Sequence, residues 1–344
     1  MNSQINLTPA QVEFLKSVIK DFDLETWHIE LAGRAASQRY FVRISKNKKS
    51  YILVVWDSRD EDWDRFLTMQ MDLSSLVTFL PEIYASDTAH GLILEEDLGT
   101  MTLKNFCNEK GSAISEIETT YKKVLYALWN WQQLKISASQ SISARAMDFD
   151  TFMWESGYFA RFCVTEYCAC EKLLNKSWEE EREQLALKTS SLPRTCIHRD
   201  FQSENIMIHN EEIRFVDFQG ARLGPPQYDT ASLLFDPYIK VLSPQLTEIL
   251  FTYYQRISGN ANDVGSYFNC AAQRLMQALG AYANLSLHKG KEHYRKFIPL
   301  ALDRLIYVLG FLPEYKQIRN IAEECRKTVR QIITEKKEAC DLFE

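Results

Sequence analysis

The polar side chains that could do chemistry are concentrated in IHRDFQSENIMIHNEEIRFVDFQG, residues 197–220. Asp200 is followed five residues later by Asn205 and, after a further twelve residues, by Asp217. Carboxylate and amide oxygens are the ligands that a hard cation such as Mg²⁺ takes, and a carboxylate can also accept or orient a proton. Phosphoryl transfer needs both functions, because the transferring group must be positioned and its charge neutralised.

The spacing from Asp200 to Asn205 is that of the H-R-D-x-x-x-x-N catalytic loop of kinases, and His198 and Arg199 complete that motif. The kinase pattern predicts that Asp200 accepts or orients the proton of an attacking hydroxyl, while Asn205 and Asp217 hold Mg²⁺ on the nucleotide phosphates. We expect structural roles for the two preceding residues, with His198 bracing the loop backbone and Arg199 pairing with a carboxylate.

A wider resemblance surrounds this loop. HRDFQSENIMI followed by FVDFQGARLGPPQYDTASLL is similar to the aminoglycoside phosphotransferase and choline kinase superfamily, whose members share the protein-kinase fold. Within it, DFQ with GPxxYDxASLL looks closest to the bacterial kinases that phosphorylate N-acetylmuramate and N-acetylglucosamine at the anomeric hydroxyl. ASQRYFVRI resembles the nucleotide-loop strand of that group, GLILEEDLG its hinge and AQRLMQALGAYANL its late helix. The likeness is strong over residues 196–236 and loose over residues 100–190.

The resemblance implies an α+β, bilobal, protein-kinase-like fold. Residues 1–98 would form a small antiparallel-sheet lobe that binds the nucleotide, and residues 99–344 a large, mainly helical lobe with the catalytic loop and the acceptor site. ATP and Mg²⁺ would be the cofactors, and we expect the acceptor to be a small molecule, a sugar that is phosphorylated at its anomeric hydroxyl. That anomeric hydroxyl is more acidic than an ordinary alcohol, so an aspartate of ordinary pKa suffices as the base.

The nucleotide-binding residues depart from the protein-kinase pattern. The hinge backbone near Glu95, Glu96 and Leu98 would hydrogen-bond the adenine. AGRAASQRYF offers a single glycine, Gly33, so backbone amides and the Ser37 hydroxyl would have to cover the phosphates.

The strand that should carry the phosphate-binding lysine reads YILVVWDS and contains no lysine. Arg39, Arg43 or Arg59 could supply the positive charge, and we favour Arg39. The acidic partner of the missing lysine is not fixed by any motif, and Glu61 is one candidate.

The acceptor would be met by residues after the metal aspartate. Gln219 and Arg222 could face the acceptor or the phosphates, with surface or structural roles equally open. Asp236, in LLFDPY, could contact the acceptor or serve a helix end. We expect Asp229, in YDTASLL, to start a helix as its cap and to pin the catalytic loop.

The apolar pattern supplies the elements that position these residues. Aromatic and β-branched runs predict antiparallel strands in the first hundred residues, with a turn at SKNKKS and another at His90-Gly91. Two short strands are predicted at CIHRD/IMIH and IRFVDF. Apolar residues at helical spacing predict the helices, which we place at residues 9–20, 62–76, 114–134, 150–173, 180–190, 229–256, 268–288 and 318–332.

Composition bounds the function class. The net charge of −6 argues against nucleic acid or an anionic membrane as the main partner. No apolar run approaches the roughly 18 residues of a membrane span, and MNSQINLTPAQVEF lacks the pattern of a signal peptide. We therefore expect a cytoplasmic protein with no obligate protein partner, and its eight cysteines are expected to be reduced and mostly in the core.

Two alternatives remain open from sequence alone. The acceptor could be an aminoglycoside, choline or a different sugar, because a fold does not fix a substrate. The missing lysine also leaves room for a catalytically inactive, nucleotide-binding pseudokinase.

Overall fold

The structure is a computed structural model, and it describes residues 6–34, 39–56, 61–111, 113–259 and 264–341. The predictions for Ser37 and Arg59 therefore fall outside the described residues.

The chain divides into two compact units. Unit 1 consists of Met1–Thr102 and Ile206–Gly220, and unit 2 of Leu103–Asn205 and Ala221–Glu344. Each unit is discontinuous in sequence. Of the three residues predicted to take part in phosphoryl transfer, Asp217 belongs to unit 1, and Asp200 and Asn205 belong to unit 2.

Unit 1 is built on a five-stranded antiparallel sheet with the strand order β1-β2-β3-β5-β4. Its elements are α1 (Pro9–Val18), β1 (His28–Arg34), β2 (Arg39–Lys46), β3 (Lys49–Trp56), α2 (Glu61–Leu73), β4 (Ile83–Asp87) and β5 (Leu92–Glu96). The predicted turn between β2 and β3 is confirmed, since Lys46 pairs with Lys49. Asn47 takes the left-handed conformation there (φ 57°), which asparagine tolerates better than most residues.

The two faces of this sheet have different neighbours. Alternate residues such as Val42, Leu53 and Leu94 share one buried cluster with Phe14 and Leu15 of α1. Because side chains alternate along a strand, the residues between them point to the opposite face.

That opposite face is covered in part by α2. Trp56, on this face, contacts Trp63 and Phe66 with ring centroids 5.6 and 6.2 Å apart. Phe66 in turn stacks on Phe218 at 4.7 Å, which joins α2 to the chain immediately after Asp217.

A hairpin from the middle of the sequence completes unit 1. Its strands are Ile206–His209 and Glu212–Phe215, which pair antiparallel. The backbone N–H of Ile208 donates to the carbonyl of Met101 at 2.8 Å, and the N–H of Phe215 to the carbonyl of Phe79 at 2.7 Å. We number these strands β7 and β8, after β6 (Thr195–Ile197) and before β9 (Arg222–Gly224).

Unit 2 is mainly helical, and β6 and β9 pair antiparallel within it. Its α-helices are α3 (Leu103–Lys110), α4 (Ile114–Gln132), α5 (Gln140–Ser143), α6 (Phe149–Tyr158), α7 (Lys176–Ser190), α8 (Pro226–Leu234), α9 (Pro244–Ile257), α10 (Val264–His288), α11 (Ile298–Leu309) and α12 (Lys316–Asp341). A π-helical segment, Phe159–Tyr167, continues α6. The predicted α+β class is thus confirmed.

Two sequence predictions in this region were wrong in detail. The predicted helix over residues 229–256 is two helices, because Pro237 and Pro244 cannot continue one. Ser243 instead caps α9, its hydroxyl accepting from the N–H of Leu246 at 3.2 Å. The predicted pair of strands is four strands, since β6 pairs with β9 rather than continuing into the hairpin.

Within the described residues, every helix is too short or too polar to cross a bilayer. Seven described cysteines are free, and six of these are buried.

The packing of α10 on α6 depends on a glycine. A Cβ at Gly280 would lie 2.8 Å from the backbone carbonyl of Tyr158, closer than atoms approach in real structures. We expect Gly280→Ala to destabilise the protein by about 1–3 kcal/mol in urea unfolding, since overpacking forces backbone shifts. The matched control is Gly157→Ala on α6, where the new methyl would meet only the Arg182 side chain at 3.4 Å. Equal stability of the two variants would contradict this account.

Candidate active site

The backbone of the catalytic loop, residues 198–205, is fixed at its start by Asp229. This carboxylate is fully buried and accepts from the N–H of His198 at 2.6 Å and from the N–H of Arg199 at 2.9 Å. The prediction that Asp229 caps a helix was wrong. The helix α8 begins at Pro226, so Asp229 lies within its first turn. Arg199 is held at φ 76°, a strained conformation that these two hydrogen bonds stabilise.

A second buried acid fixes the middle of the loop. Asp236 accepts from the N–H of Ser203 at 2.7 Å through one oxygen and from the N–H of Tyr238 at 3.0 Å through the other. Arg304 donates to the backbone carbonyls of Asp236 and Ile239. These contacts make Asp236 an anchor for the loop, a role that was not among the two considered from sequence.

Asp200 lies between two arginines. Its Oδ2 is 3.6 Å from Nη1 of Arg199 and its Oδ1 is 3.7 Å from Nη2 of Arg274 on α10. Burial alone would raise the pKa of Asp200, but the two guanidinium groups outweigh it and hold that pKa below its usual range. Asp200 is therefore ionised at neutral pH.

Arg274 was not identified from sequence, although it lies in AQRLMQALGAYANL, a stretch singled out for its resemblance. Its Nε donates to the Ser232 hydroxyl at 3.0 Å and its Nη2 to Oε1 of Gln202 at 3.3 Å. These contacts fix the guanidinium beside Asp200. An arginine among apolar helical positions is the signal that could have found it, since a buried charge needs a partner.

Glu155, in FMWESGYF, also lies among these charges; from sequence alone this stretch could form either a wall of the acceptor pocket or part of the core, and the core was favoured. It is fully buried on α6 and accepts from the Tyr228 hydroxyl at 2.8 Å. Burial raises the pKa of Glu155 to about 7, against the opposing charges of Arg199 and Arg274. At neutral pH Glu155 is therefore only partly ionised, and its negative charge offsets the positive charge of those arginines only in part.

Arg222 adds a third cation to this part of unit 2. It is partly exposed on β9, where its register partner is Ile197 at the start of the catalytic loop. Burial, and then repulsion by Arg199, lowers the pKa of Arg222 to about 10. It is still charged at neutral pH, so positive charge exceeds negative charge around Asp200.

Asn205 ends the catalytic loop with its amide oriented by the backbone. Its Nδ2 donates to the carbonyl of Asp200 at 2.9 Å. This hydrogen bond identifies the amide nitrogen, because a carbonyl can only accept. The amide oxygen of Asn205 is therefore the atom that could act as a metal ligand. That orientation fits a role in holding a hard cation.

Asp217, in unit 1, follows β8 in a left-handed conformation at φ 61°. Its Oδ1 accepts from Nη2 of Arg39 at 2.9 Å and from Nε2 of Gln219 at 2.7 Å. The side chain is 40% exposed, and both of these donors contact the same oxygen. A carboxylate with its second oxygen directed elsewhere also fits the donor set of a Mg²⁺ site.

Arg39, the first residue of β2, is buried to 8% exposure and lies over the Trp56 ring at 4.5 Å. The structure thus places a fixed cation beside Asp217 in a chain whose β3 has no lysine after its first residue, Lys49. Glu61, suggested as the acidic partner, is exposed and pairs with Arg65 of its own helix. Arg43 is committed to Asp97, with contacts of 2.7 and 3.0 Å.

The backbone of β5, the strand before the hinge, is hydrogen-bonded to neighbouring strands of its own sheet. Glu95 pairs with Ile52 of β3 and Ile83 of β4, and the N–H of Glu96 donates to the carbonyl of Glu82 at 2.8 Å. Leu98 is buried beyond the end of β5. Of the three hinge residues predicted to present backbone groups to adenine, Glu96 has its N–H occupied.

Comparison with known proteins extends these observations. The model of the phosphotransferase enzyme family, APH, matches residues 28–263. The chain is 22% identical over 308 residues to the N-acetylmuramate/N-acetylglucosamine kinase of Pseudomonas putida, covering 87% of this chain and 88% of that protein. It is 26% identical over 238 residues to the kinase of the same name from Neisseria meningitidis, covering 66% of this chain and 69% of that protein.

Among solved structures, the fold is similar to that of the ADP-bound aminoglycoside phosphotransferase APH(2'')-Ib. The TM-score is 0.57 at 15% identity, over 87% of this chain and 98% of that one. The predicted kinase-like fold is confirmed by this similarity. A match over more than half of the sequence, on a chain that carries the HRD loop and the later aspartate, shows that this protein belongs to the phosphotransferase enzyme family and is a small-molecule kinase acting on a hydroxyl group.

Proposed function

We propose that this enzyme is an ATP- and Mg²⁺-dependent kinase that phosphorylates the anomeric hydroxyl of an amino sugar of the N-acetylmuramate or N-acetylglucosamine type. The observation that carries the proposal is the charge around Asp200, an ionised carboxylate accompanied by Arg199, Arg222 and Arg274. The names of the curated relatives support the same acceptor class.

Asp200 would orient the acceptor hydroxyl and receive its proton as the bond from the hydroxyl oxygen to the γ-phosphorus forms and the bond from that phosphorus to the ADP oxygen breaks. A carboxylate of lowered pKa is a weak base, so its main contribution is to hold the hydroxyl oxygen in line with the transferring group. An anomeric hydroxyl suits such a base, because it releases its proton more readily than an ordinary alcohol does. Asp229 and Asp236 act on this step only through the loop backbone that they hold.

Asn205 and Asp217 would hold the metal, through the amide oxygen of one and the carboxylate of the other. When bound, Mg²⁺ would neutralise charge on the phosphates. Arg39 would contribute the positive charge that a strand lysine supplies in protein kinases. Gln219, through its hydrogen bond to Asp217, would keep that carboxylate in position.

On the nucleotide side, Ser37 and backbone amides would contact the phosphates, and the backbone at Leu98 would contact the adenine. On the acceptor side, Arg222 is the residue we assign to the substrate. The positive charges of Arg222 and Arg274 disfavour a cationic acceptor near Asp200, because like charges repel. Choline, ethanolamine and aminoglycosides all carry such positive charge, whereas the amino sugars proposed here are neutral or acidic.

A panel of acceptors incubated with ATP and Mg²⁺ tests the proposal. We expect phosphate transfer to N-acetylmuramate, N-acetylglucosamine or both, with the product labile to mild acid as an anomeric phosphate is. Choline and kanamycin are expected to be inert. Turnover of choline or kanamycin without turnover of any sugar would contradict the acceptor class. Absence of turnover with every acceptor, together with nucleotide binding unaffected by Asp217→Ala, would instead indicate an inactive nucleotide-binding protein.

A further inference from the structure

A buried carboxyl group lies on the sheet of unit 1. Glu95, on β5, is 8% exposed, and its Oε2 is buried without a hydrogen-bond partner among the described residues. Leaving such a group unpaired costs about 1–3 kcal/mol, and native structures rarely contain one without a reason. A ligand that supplies the missing hydrogen bond is such a reason.

The position of Glu95 indicates which ligand. Its neighbours Leu94 and Leu92 point into the cluster that α1 covers, so Glu95 points to the opposite face of the sheet. That face also carries Trp56 and Arg39, and Arg39 contacts Asp217 at 2.9 Å. If Asp217 and Arg39 serve the nucleotide phosphates, as proposed above, Glu95 lies on the same face of the same sheet as the nucleotide.

The backbone nearby cannot take over base recognition at this position. Glu95 pairs with β3 on one side and with β4 on the other, and the N–H of Glu96 is taken by Glu82. Arg43, in the same row of the sheet, is held by Asp97 and by the carbonyl of Gly99. A base that reaches β5 therefore meets the side chain of Glu95 as its hydrogen-bonding group there.

The surroundings of Glu95 determine its protonation. Burial raises its pKa to about 8, the charge of Arg39 opposes that rise, and the negative charges of Glu96 and Asp97 add to it. Its register partners on β3 and β4, Ile52 and Ile83, carry no charge. On α2, Arg65 is paired with Glu61 and Asp62 of its own helix. At neutral pH the carboxyl is therefore mostly protonated.

We propose that the side chain of Glu95 recognises the nucleotide base, donating and accepting one hydrogen bond each with the 6-amino group and an adjacent ring nitrogen of adenine. This inference rests on the proposed function. A protonated carboxylic acid has one donor and one acceptor side by side, and adenine presents the complementary pair along its amino edge. Guanine presents two neighbouring donors, N1–H and the 2-amino group, so it pairs with the ionised carboxylate instead. Ionisation of Glu95 therefore shifts its preference away from adenine and towards guanine.

Calorimetric titration of the full chain with ADP and with GDP, each with Mg²⁺, tests this between pH 7 and pH 9. In the unmodified protein we expect the ratio of ADP affinity to GDP affinity to fall about tenfold over this range, as Glu95 ionises. Glu95→Gln keeps a donor and an acceptor but cannot titrate, so it should bind ADP within about threefold of the unmodified protein at pH 7. Its affinity ratio should not change with pH. Glu95→Leu removes both hydrogen bonds and should lose at least about tenfold in ADP affinity, a factor that corresponds to about 1.4 kcal/mol.

Glu82→Gln is the matched control, because it makes the same glutamate-to-glutamine replacement at an exposed position just before β4. It should bind both nucleotides as the unmodified protein does. A ratio independent of pH in the unmodified protein, or normal ADP binding by Glu95→Leu, would overturn the inference. If both Glu95 variants lost the same factor in affinity for ADP and for GDP, the inference would also be overturned. Glu95 would then act on both nucleotides through Arg39 and not on the base.

Different results overturn the proposed function and the role of Glu95 in base recognition. If the protein binds neither nucleotide, the proposed function fails and the base inference fails with it. If it binds ADP and transfers phosphate from ATP, but the Glu95 variants leave both affinities unchanged, only the base inference fails. The pH series on the unmodified protein needs no variant to fold, so a poorly folded Glu95→Leu does not remove the test.

Discussion

Replacing Asp200 by alanine is expected to reduce kcat by roughly a hundred- to ten-thousandfold while leaving the affinity for Mg·ATP nearly unchanged. A positioned proton acceptor contributes about that much to a rate. Asp200 is the carboxylate of the catalytic loop that two arginines hold ionised. Steady-state kinetics with saturating acceptor, together with calorimetric nucleotide binding, separates the two effects.

Glu204→Gln is the control for this change. Glu204 lies on the same loop, carries the same charge and pairs with Lys104, but it is given no part in the reaction. We expect its kcat to remain within about threefold of the unmodified enzyme. A comparable loss in both variants would mean that the loop tolerates no charge change, and would remove the specific role of Asp200.

The pH profile gives a second measure of the same residue. The arginines hold the pKa of Asp200 below its usual range, and an acid of lowered pKa stays ionised until the pH falls through that lowered value. The rate should therefore not fall between pH 7 and pH 5 through protonation of Asp200. A decline centred near pH 6 would contradict the assignment of Asp200 as the ionised base, or would indicate a different titrating group.

Replacing Asp229 by alanine is expected to lower the free energy of unfolding by roughly 2–5 kcal/mol. The change leaves the N–H groups of His198 and Arg199 buried without an acceptor, each at a cost of about 1–3 kcal/mol, and it releases the strained backbone at Arg199. Urea unfolding followed by tryptophan fluorescence measures the effect. Asp229→Asn should be intermediate, because one amide oxygen can still accept one of the two N–H groups.

Asp150→Ala is the comparison for Asp229, since Asp150 is also an acid in the first turn of a helix, on α6, but is exposed. Exposed substitutions of this kind usually change stability by less than about 0.5 kcal/mol. If Asp229→Ala were no more destabilised than Asp150→Ala, the catalytic loop would have to be held by contacts other than these.

Part of this molecule is predictable from local patterns. The strands β2 and β3 follow from aromatic and β-branched runs around a polar turn, and the pattern H-R-D-x-x-x-x-N locates Asp200 and Asn205 because the spacing itself is the signal. The helix α10 follows from its apolar periodicity. Each of these depends on residues that are close together in the chain.

What local patterns could not supply is contact between distant residues. Arg39 was one of three candidates for the missing cation, and only the folded structure brings its side chain into contact with Asp217. Arg274 acts on Asp200 from a helix about seventy residues later. Glu95 was expected to offer its backbone, whereas the sheet takes that backbone and leaves the side chain. Each of these outcomes depends on which helices and strands contact each other in the fold. The apolar periodicity of the sequence does not specify those contacts.

The order of synthesis has a consequence for this architecture. Unit 1 requires the hairpin β7–β8, whose hydrogen bonds to Met101 and Phe79 join residues more than a hundred positions apart in the chain. When the five strands of the sheet have left the ribosome, the unit is still missing its last piece, and it stays so while the first half of unit 2 is made. Contacts of such long sequence separation form slowly. The nascent sheet is therefore exposed for that interval, and a chain truncated before residue 206 would never complete it.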